Sequence, residues 1–101
     1  MKDNLDKNLV EAVNRNFGLK LRRKLFPEAE FLEILTLAIA NLLQHDLQKL
    51  LSLLYRLDVN ETHFRQALLA DDSRQIAHNI AKLVLAREKL RIEIRQRYQN
   101  D

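Results

Sequence analysis

Two paired carboxylates in this sequence have the residue type and spacing of a metal-binding site. Glu30 and Glu33 are three residues apart, so on a helix they share a face, as two carboxylates that bind Mg²⁺ would. The same side chains, with Glu28, follow Pro27 near the start of a predicted helix, where the helix dipole favours negative charge. This second interpretation explains both residues without a ligand, and we therefore expect neither a metal site nor a cofactor.

Histidine is the other residue type that could bind a metal. His45 and Asp46 are adjacent, as in the HD phosphohydrolases, but the metal site of those enzymes needs a histidine before the pair and none precedes His45. Neither His63 nor His78 lies three or four residues from another histidine, the spacing of helical metal-binding pairs. A three-histidine site assembled by folding is the alternative. We favour His45 and His63 at turns and His78 on a polar edge.

The sequence lacks the other elements of common catalytic sites. Gly18 is the only glycine, so a glycine-rich phosphate loop is absent. Cysteine is absent too, which excludes thiolate nucleophiles, thiolate metal sites and disulfides and suits a reducing compartment. Ser52 and Ser73 have no neighbouring base in the sequence. These observations predict that the protein is not an enzyme.

The charged residues are unevenly distributed along the chain. The net charge is +4 over residues 2–26, −5 over residues 27–73 and +4 over residues 74–101. Basic segments of this kind can bind acidic ones within a molecule or between copies, or can attract a polyanion. The distribution alone does not separate these alternatives.

Three arginines near the C-terminus form the best candidate for nucleic-acid binding. Arg87, Arg91 and Arg95 recur every four residues, so on a helix they present a cationic ridge that suits phosphate spacing. Glu88 and Glu93 interrupt the positive field, and basic residues near a helix C-terminus are favoured by the dipole in any case. Nucleic-acid binding through this ridge is the alternative function, and a protein partner is the favoured one.

The composition predicts an all-helical protein. The 21 leucines and nine alanines favour helix, whereas one glycine and one proline are too few for the turns of a multistranded sheet. Length and apolar periodicity predict a single-domain bundle over residues 1–101, with about five helices and a long C-terminal helix. The predicted helices cover residues 4–16, 28–44, 46–58, 61–70 and 73–97.

No segment predicts a membrane span or an export signal. The longest run without a charged residue, 34–45, is far shorter than the roughly 20 residues that a spanning helix needs. The N-terminus carries acidic residues and lacks the apolar core and small-residue cleavage site of a secretory signal. We therefore expect no membrane contact and a cytoplasmic location.

Local signals place the ends of the first helix. Asp3 or Asn4 can cap its N-terminus, and Gly18 suits the left-handed residue after its C-terminus. Leu21 and Leu25 are four residues apart, which predicts a further helical turn before Pro27.

Capping signals also place the later turns. Asp46 is predicted to cap a new helix, and a single kinked helix over residues 28–58 is the alternative. Asn60 is predicted to cap the fourth helix, although Asn60-Glu61-Thr62 also matches a glycosylation acceptor. Asp72 and Gln75 match a capping box at the start of the fifth helix.

The long C-terminal helix is the main evidence for a protein partner. At 1.5 Å per residue it is long enough to extend beyond a bundle of this size, and its apolar stripe continues towards its end. Either the rest of the chain or a second copy covers this stripe, and we predict a homodimer. The stripe comprises Ile76, Ile80, Leu83, Leu90 and Ile94.

Tyr55 and Arg56 complete the predicted interface, since both residue types often anchor protein contacts. Tyr55 lies beside Leu51 and Leu54 on a largely apolar helix, where its ring can pack and its hydroxyl can reach an edge. Arg56 and Asp58 are each expected to pair with another helix. Leu83, Leu90 and Ile94 are the interface residues predicted on the last helix.

The stretch from Leu42 through the Asp58-Val59-Asn60-Glu61 turn into the last helix resembles short helical proteins of bacteria that have no assigned activity. The resemblance covers about half of the chain and includes no catalytic motif. It therefore implies a helical fold but neither an activity nor a ligand.

Overall fold

The computed structural model describes residues 4–99 and shows an all-α bundle, as predicted. Its longest dimension is 42 Å and its radius of gyration is 13.7 Å. The 27 residues of the last helix span roughly 40 Å at 1.5 Å per residue, so this helix runs the length of the molecule. The helices are α1 (Lys7–Phe17), α2 (Glu28–His45), α3 (Leu47–Arg56), α4 (Glu61–Ala67) and α5 (Ser73–Gln99).

Helix α2 packs along α5 in the most extensive helix pair of the bundle. Phe31, Leu35 and Ile39 follow one another at intervals of four residues, and all three are completely buried. They meet a face of α5 that includes Ala77 and Ala81, whose short side chains allow two helices to approach closely. Helix α2 therefore lies at the centre of the bundle.

Helix α1 begins later than predicted because Asp6, and not Asn4, caps it. The Asp6 carboxylate accepts a hydrogen bond of 2.7 Å from the backbone N–H of Asn8. The other proposed cap, Asp3, lies outside the described residues. At the other end Gly18 adopts left-handed angles (φ 60°, ψ 41°), as predicted.

The predicted further helical turn between α1 and α2 is wrong, because residues 19–26 are irregular. Lys20 has a φ of +60°, which a continuing helix does not allow. The Asn14 side chain donates to the Leu21 carbonyl at 3.1 Å and accepts from the Leu21 N–H at 3.0 Å. A side chain that satisfies backbone groups in this way replaces the hydrogen bonds of a helix.

Three side-chain caps define the remaining turns. Asp46 accepts from the Lys49 N–H at 3.1 Å, and its extended backbone (φ −156°) separates α2 from α3, so the single kinked helix is excluded. Asn60 accepts from the His63 N–H at 3.0 Å, as predicted. Asp72 accepts from the Gln75 N–H at 2.8 Å. The capping box is incomplete, because within residues 4–99 the Gln75 side chain accepts no hydrogen bond from the Asp72 N–H; its amide N–H donates to Asn79 (2.9 Å).

Ion pairs join the basic ends of the chain to its acidic middle within one molecule. Among residues 4–99, four of the six ion pairs link residues from these oppositely charged segments. All four hold a loop or α5 against another part of the bundle. They are Arg23–Glu30 (2.6 Å), Arg74–Glu33, Arg87–Asp58 (3.3 Å) and Lys89–Glu28 (2.8 Å).

Candidate interaction groove beside the C-terminal half of α5

A groove of about 840 Å³ lies beside the C-terminal half of α5. The end of α1 contributes Ala12, Arg15 and Asn16, and the end of α3 contributes Arg56 and Leu57. Five arginines line it, and we call it the arginine groove. They are Arg15, Arg56, Arg87, Arg91 and Arg95.

One of the five arginines is bound within the chain. Arg87 donates from Nε to the Leu57 carbonyl at 3.1 Å and from Nη2 to the Asp58 carboxylate at 3.3 Å. Arg87 therefore fixes the end of α3 against α5. Of the three arginines in the predicted ridge, Arg91 and Arg95 remain unbound within the described residues.

The other four arginines are in no ion pair within residues 4–99. Arg15, Arg56, Arg91 and Arg95 come from three different helices and are all exposed. Their positive charges are therefore concentrated around one groove. Most other arginines of the described chain, by contrast, pair with a carboxylate.

Apolar side chains run along the same groove. Leu90, Ile94 and Tyr98 recur every four residues on α5 and are 42%, 38% and 77% exposed. We call them the α5 stripe; Ile94 and Tyr98 also line the groove. The bundle thus covers the predicted stripe only in part. Ile80 is buried and Leu83 is half-buried, whereas Leu90 and Ile94 at the C-terminal end of the stripe are exposed. The site combines an apolar strip with cationic groups.

Glu88 is a buried carboxylate at the edge of the groove. Its residue is only 3% exposed, and its Oε2 atom has no hydrogen-bond partner in the described part of the chain. A buried polar group without a partner costs about 1–3 kcal/mol. We therefore expect Glu88 to lower the stability of the folded chain.

Tyr55 is 89% exposed, so the prediction that its ring packs against the bundle is wrong. It continues an exposed line on α3 with Leu47 and Leu51. The predicted pairing of Asp58 with another helix is confirmed by its contact with Arg87, whereas Arg56 forms no ion pair among the described residues.

The carboxylates and histidines considered for metal chemistry do not converge. Glu30 and Glu33 each pair with an arginine, Arg23 and Arg74 respectively. His78 is half-buried, with Nδ1 3.5 Å from the Thr36 hydroxyl. Across residues 4–99 there is no group of three or more His, Asp or Glu side chains that could hold a metal ion.

Several residues of the groove were not singled out as candidate site residues by the sequence reasoning, and Arg15, Tyr98 and Glu88 are the most relevant of them. Arg15 gives no local signal, because only the tertiary packing of α1 beside α5 brings it to the groove. Tyr98 continues the spacing of Leu90 and Ile94 and could have been added to the stripe. Glu88 lies four residues from both Val84 and Ile92, which are buried. Its position on the same helix face as these apolar residues was the signal that could have identified it as a buried carboxylate.

No family model, no curated protein and no solved structure matches this chain. The fold and the candidate site are therefore described from the chain's own structure. Within the described residues, none of the five helices combines the length and the apolar character that crossing a membrane requires.

Proposed function

We propose that the protein is a non-enzymatic interaction module that binds a protein partner, including a second copy of itself, through the C-terminal half of α5. The observation that carries this proposal is the uncovered α5 stripe. The other large apolar side chains of α5 are buried or half-buried, whereas three in a row remain in contact with water. A cytoplasmic location is part of the proposal, since a cysteine-free chain suits a reducing compartment.

The apolar surface of the stripe sets a scale for the association. Complete burial of a leucine or isoleucine contributes about 1.5–3 kcal/mol, so Leu90 and Ile94, each about two-fifths exposed, can still contribute roughly 1–2 kcal/mol together. Tyr98, which is 77% exposed, can add roughly 1–2 kcal/mol on the same scale. Association itself costs about 4–15 kcal/mol. The stripe alone therefore does not offset this cost, and association requires a contribution from the arginines.

Size-exclusion chromatography with light scattering tests this proposal. At tens of micromolar, the wild-type chain is expected to show a mass above the 11.9 kDa of one copy, and Ile94→Ser/Tyr98→Ser is expected to shift it towards that value. Leu37→Ser is the matched control, because Leu37 is exposed on α2, away from the groove. A strictly monomeric wild-type chain would remove self-association.

Nucleic-acid binding is the second candidate, favoured by the four arginines of the groove that form no ion pair within residues 4–99. If all four contact phosphates of a single strand, the logarithm of the binding constant falls with the logarithm of salt concentration with a slope of about −3. Fluorescence anisotropy with single-stranded and duplex probes measures this slope. Absence of salt-dependent binding in low salt would exclude this candidate.

A further inference from the structure

The charge of the arginine groove determines what kind of surface can fill it. Arg15, Arg56, Arg91 and Arg95 lack ion pairs among the described residues. A two-fold dimer that joins groove to groove would bring eight such arginines together, and like charges across an interface cost several kcal/mol. A second copy must therefore present a different, acidic surface to the groove.

One segment of the chain has the complementary character. Residues 68–72, which we call the acidic tip, connect α4 to α5. Leu69 is 80% exposed, the most exposed leucine described, and Leu68 is also exposed. Asp71 and Asp72 are exposed beside them. Asp71 makes no hydrogen bond or ion pair within residues 4–99, and Asp72 is engaged only as the cap of α5. The tip thus offers two carboxylates and two leucines.

The other exposed turn with an aspartate and a leucine is a poorer match. Asp46 and Leu47 lie between α2 and α3 and are exposed, but His45 precedes them and Lys49 follows within three residues. The positive charge of Lys49 offsets the negative charge of Asp46, so this turn carries no net negative charge. Arg74, which follows Asp72 of the tip, is instead paired with Glu33. Charge complementarity therefore selects the acidic tip.

We propose that the acidic tip of one copy docks into the arginine groove of the next copy. Asp71 and Asp72 would meet Arg91 and Arg95, and the tip leucines would cover the α5 stripe. Carboxylate–guanidinium pairs are stronger when they are shielded from water, and the leucines supply that shielding. This inference rests on the proposed function and specifies the partner surface.

The positions of the two surfaces make the assembly head-to-tail. The tip precedes the first residue of α5, and the groove centres about 20 residues later, roughly 30 Å along the helix. One molecule cannot fill its own groove over that distance. A pair joined through one tip and one groove leaves the other tip and the other groove unfilled. Association therefore continues as a chain, whose mass rises with concentration, or closes as a ring, of which a two-fold dimer that exchanges tips is the smallest.

Two variants, each with one damaged surface, test the arrangement. The groove variant Arg91→Glu/Arg95→Glu keeps an intact tip, and the tip variant Leu69→Ser/Asp71→Ser keeps an intact groove. All four side chains are exposed and make no hydrogen bond in the described structure, so both variants should retain the wild-type helical circular dichroism. The control Arg22→Glu/Lys24→Glu makes the same charge change at exposed residues of the α1–α2 segment.

Sedimentation velocity measures the outcome. We expect the wild-type and control chains to associate, each damaged variant alone to lose association at least tenfold, and their equimolar mixture to form a species of two copies and no larger. The mixture also shows that both variants are folded, because each supplies one working surface.

The opposing outcomes separate this inference from the proposed function. If the tip variant associates as the wild type does, the tip is not the occupant and the inference is wrong, while self-association stands. If the wild type is monomeric at every concentration, the self-association part of the proposed function fails and the inference with it. If the wild type is monomeric and the groove variant loses binding to a single-stranded oligonucleotide, the groove belongs to nucleic acid.

Discussion

Replacing Glu88 with methionine is expected to stabilise the folded chain. Glu88 is 3% exposed and its Oε2 atom lacks a hydrogen-bond partner in the described structure. Methionine has a similar length and is unbranched, so it can occupy the same space without the buried polar atoms. Removing an unsatisfied buried polar group recovers about 1–3 kcal/mol, and apolar replacements of buried charged groups are often stabilising.

The free energy of unfolding from urea denaturation, followed by circular dichroism, measures this effect. We expect an increase of about 1–3 kcal/mol for Glu88→Met, which for a domain of this size corresponds to roughly 4–8 °C in Tm per kcal/mol. Glu93→Met is the control on the same helix; Glu93 is exposed and forms only the surface pair with Arg97, so the change should stay within about 1 kcal/mol.

The glutamine variant distinguishes the two ways in which this reasoning can fail. If Glu88→Met and Glu88→Gln both destabilise the chain by more than about 1 kcal/mol, the charge of Glu88 stabilises the arginine groove and the carboxylate is not an unsatisfied group. If methionine alone destabilises, Glu88 has a hydrogen-bond partner, such as an ordered water, that glutamine preserves.

Three further substitutions test the account of the fold by urea denaturation. Gly18→Ala should lower the free energy of unfolding by about 1–2 kcal/mol, because φ is +60° at this residue. No atom lies within 4 Å of the added Cβ, so this cost comes from the backbone conformation alone. An unchanged free energy of unfolding would contradict the left-handed cap. Asp72→Ala should lower the free energy of unfolding by about 1 kcal/mol, because it removes the cap of α5. Gln75→Ala should lower it by less than half as much, since the Gln75 side chain bonds Asn79 and not the N-terminus of the helix. Equal losses would indicate a complete capping box. Phe31→Ala should cost about 3–5 kcal/mol, as expected for a completely buried ring, and a loss below about 1 kcal/mol would contradict the central position of α2.

Local sequence signals predicted the helices and most of their ends. Asp46, Asn60 and Asp72 cap helices because their short side chains reach backbone N–H groups two or three residues later, and this chemistry depends on a few adjacent residues. The segment after α1 was mispredicted for the opposite reason. The side chain of Asn14 bonds Leu21 seven residues away, and the spacing of the leucines gave no sign of it.

The candidate site was only partly predictable, because it forms between helices. The spacing of Arg91, Arg95 and Ile94 identified one wall of the groove. Arg15 reaches the same groove only because α1 packs beside α5, a tertiary contact that no periodicity encodes. Arg87 was expected to face a ligand, yet it binds the end of α3 at Leu57 and Asp58, since the left-handed turn at Asp58 (φ 62°) brings these groups within its reach.

The concentration dependence of the ¹H–¹⁵N NMR spectrum tests the central claim most directly, because it reports both whether copies associate and where. Between tens of micromolar and one millimolar, we expect backbone signals of residues 87–99 and 68–72 to shift or broaden together, while signals of the α2 core remain fixed. Spectra that do not change over this range, or changes confined to other surfaces such as the exposed line of α3, would contradict the assignment of the C-terminal half of α5 as the interaction site.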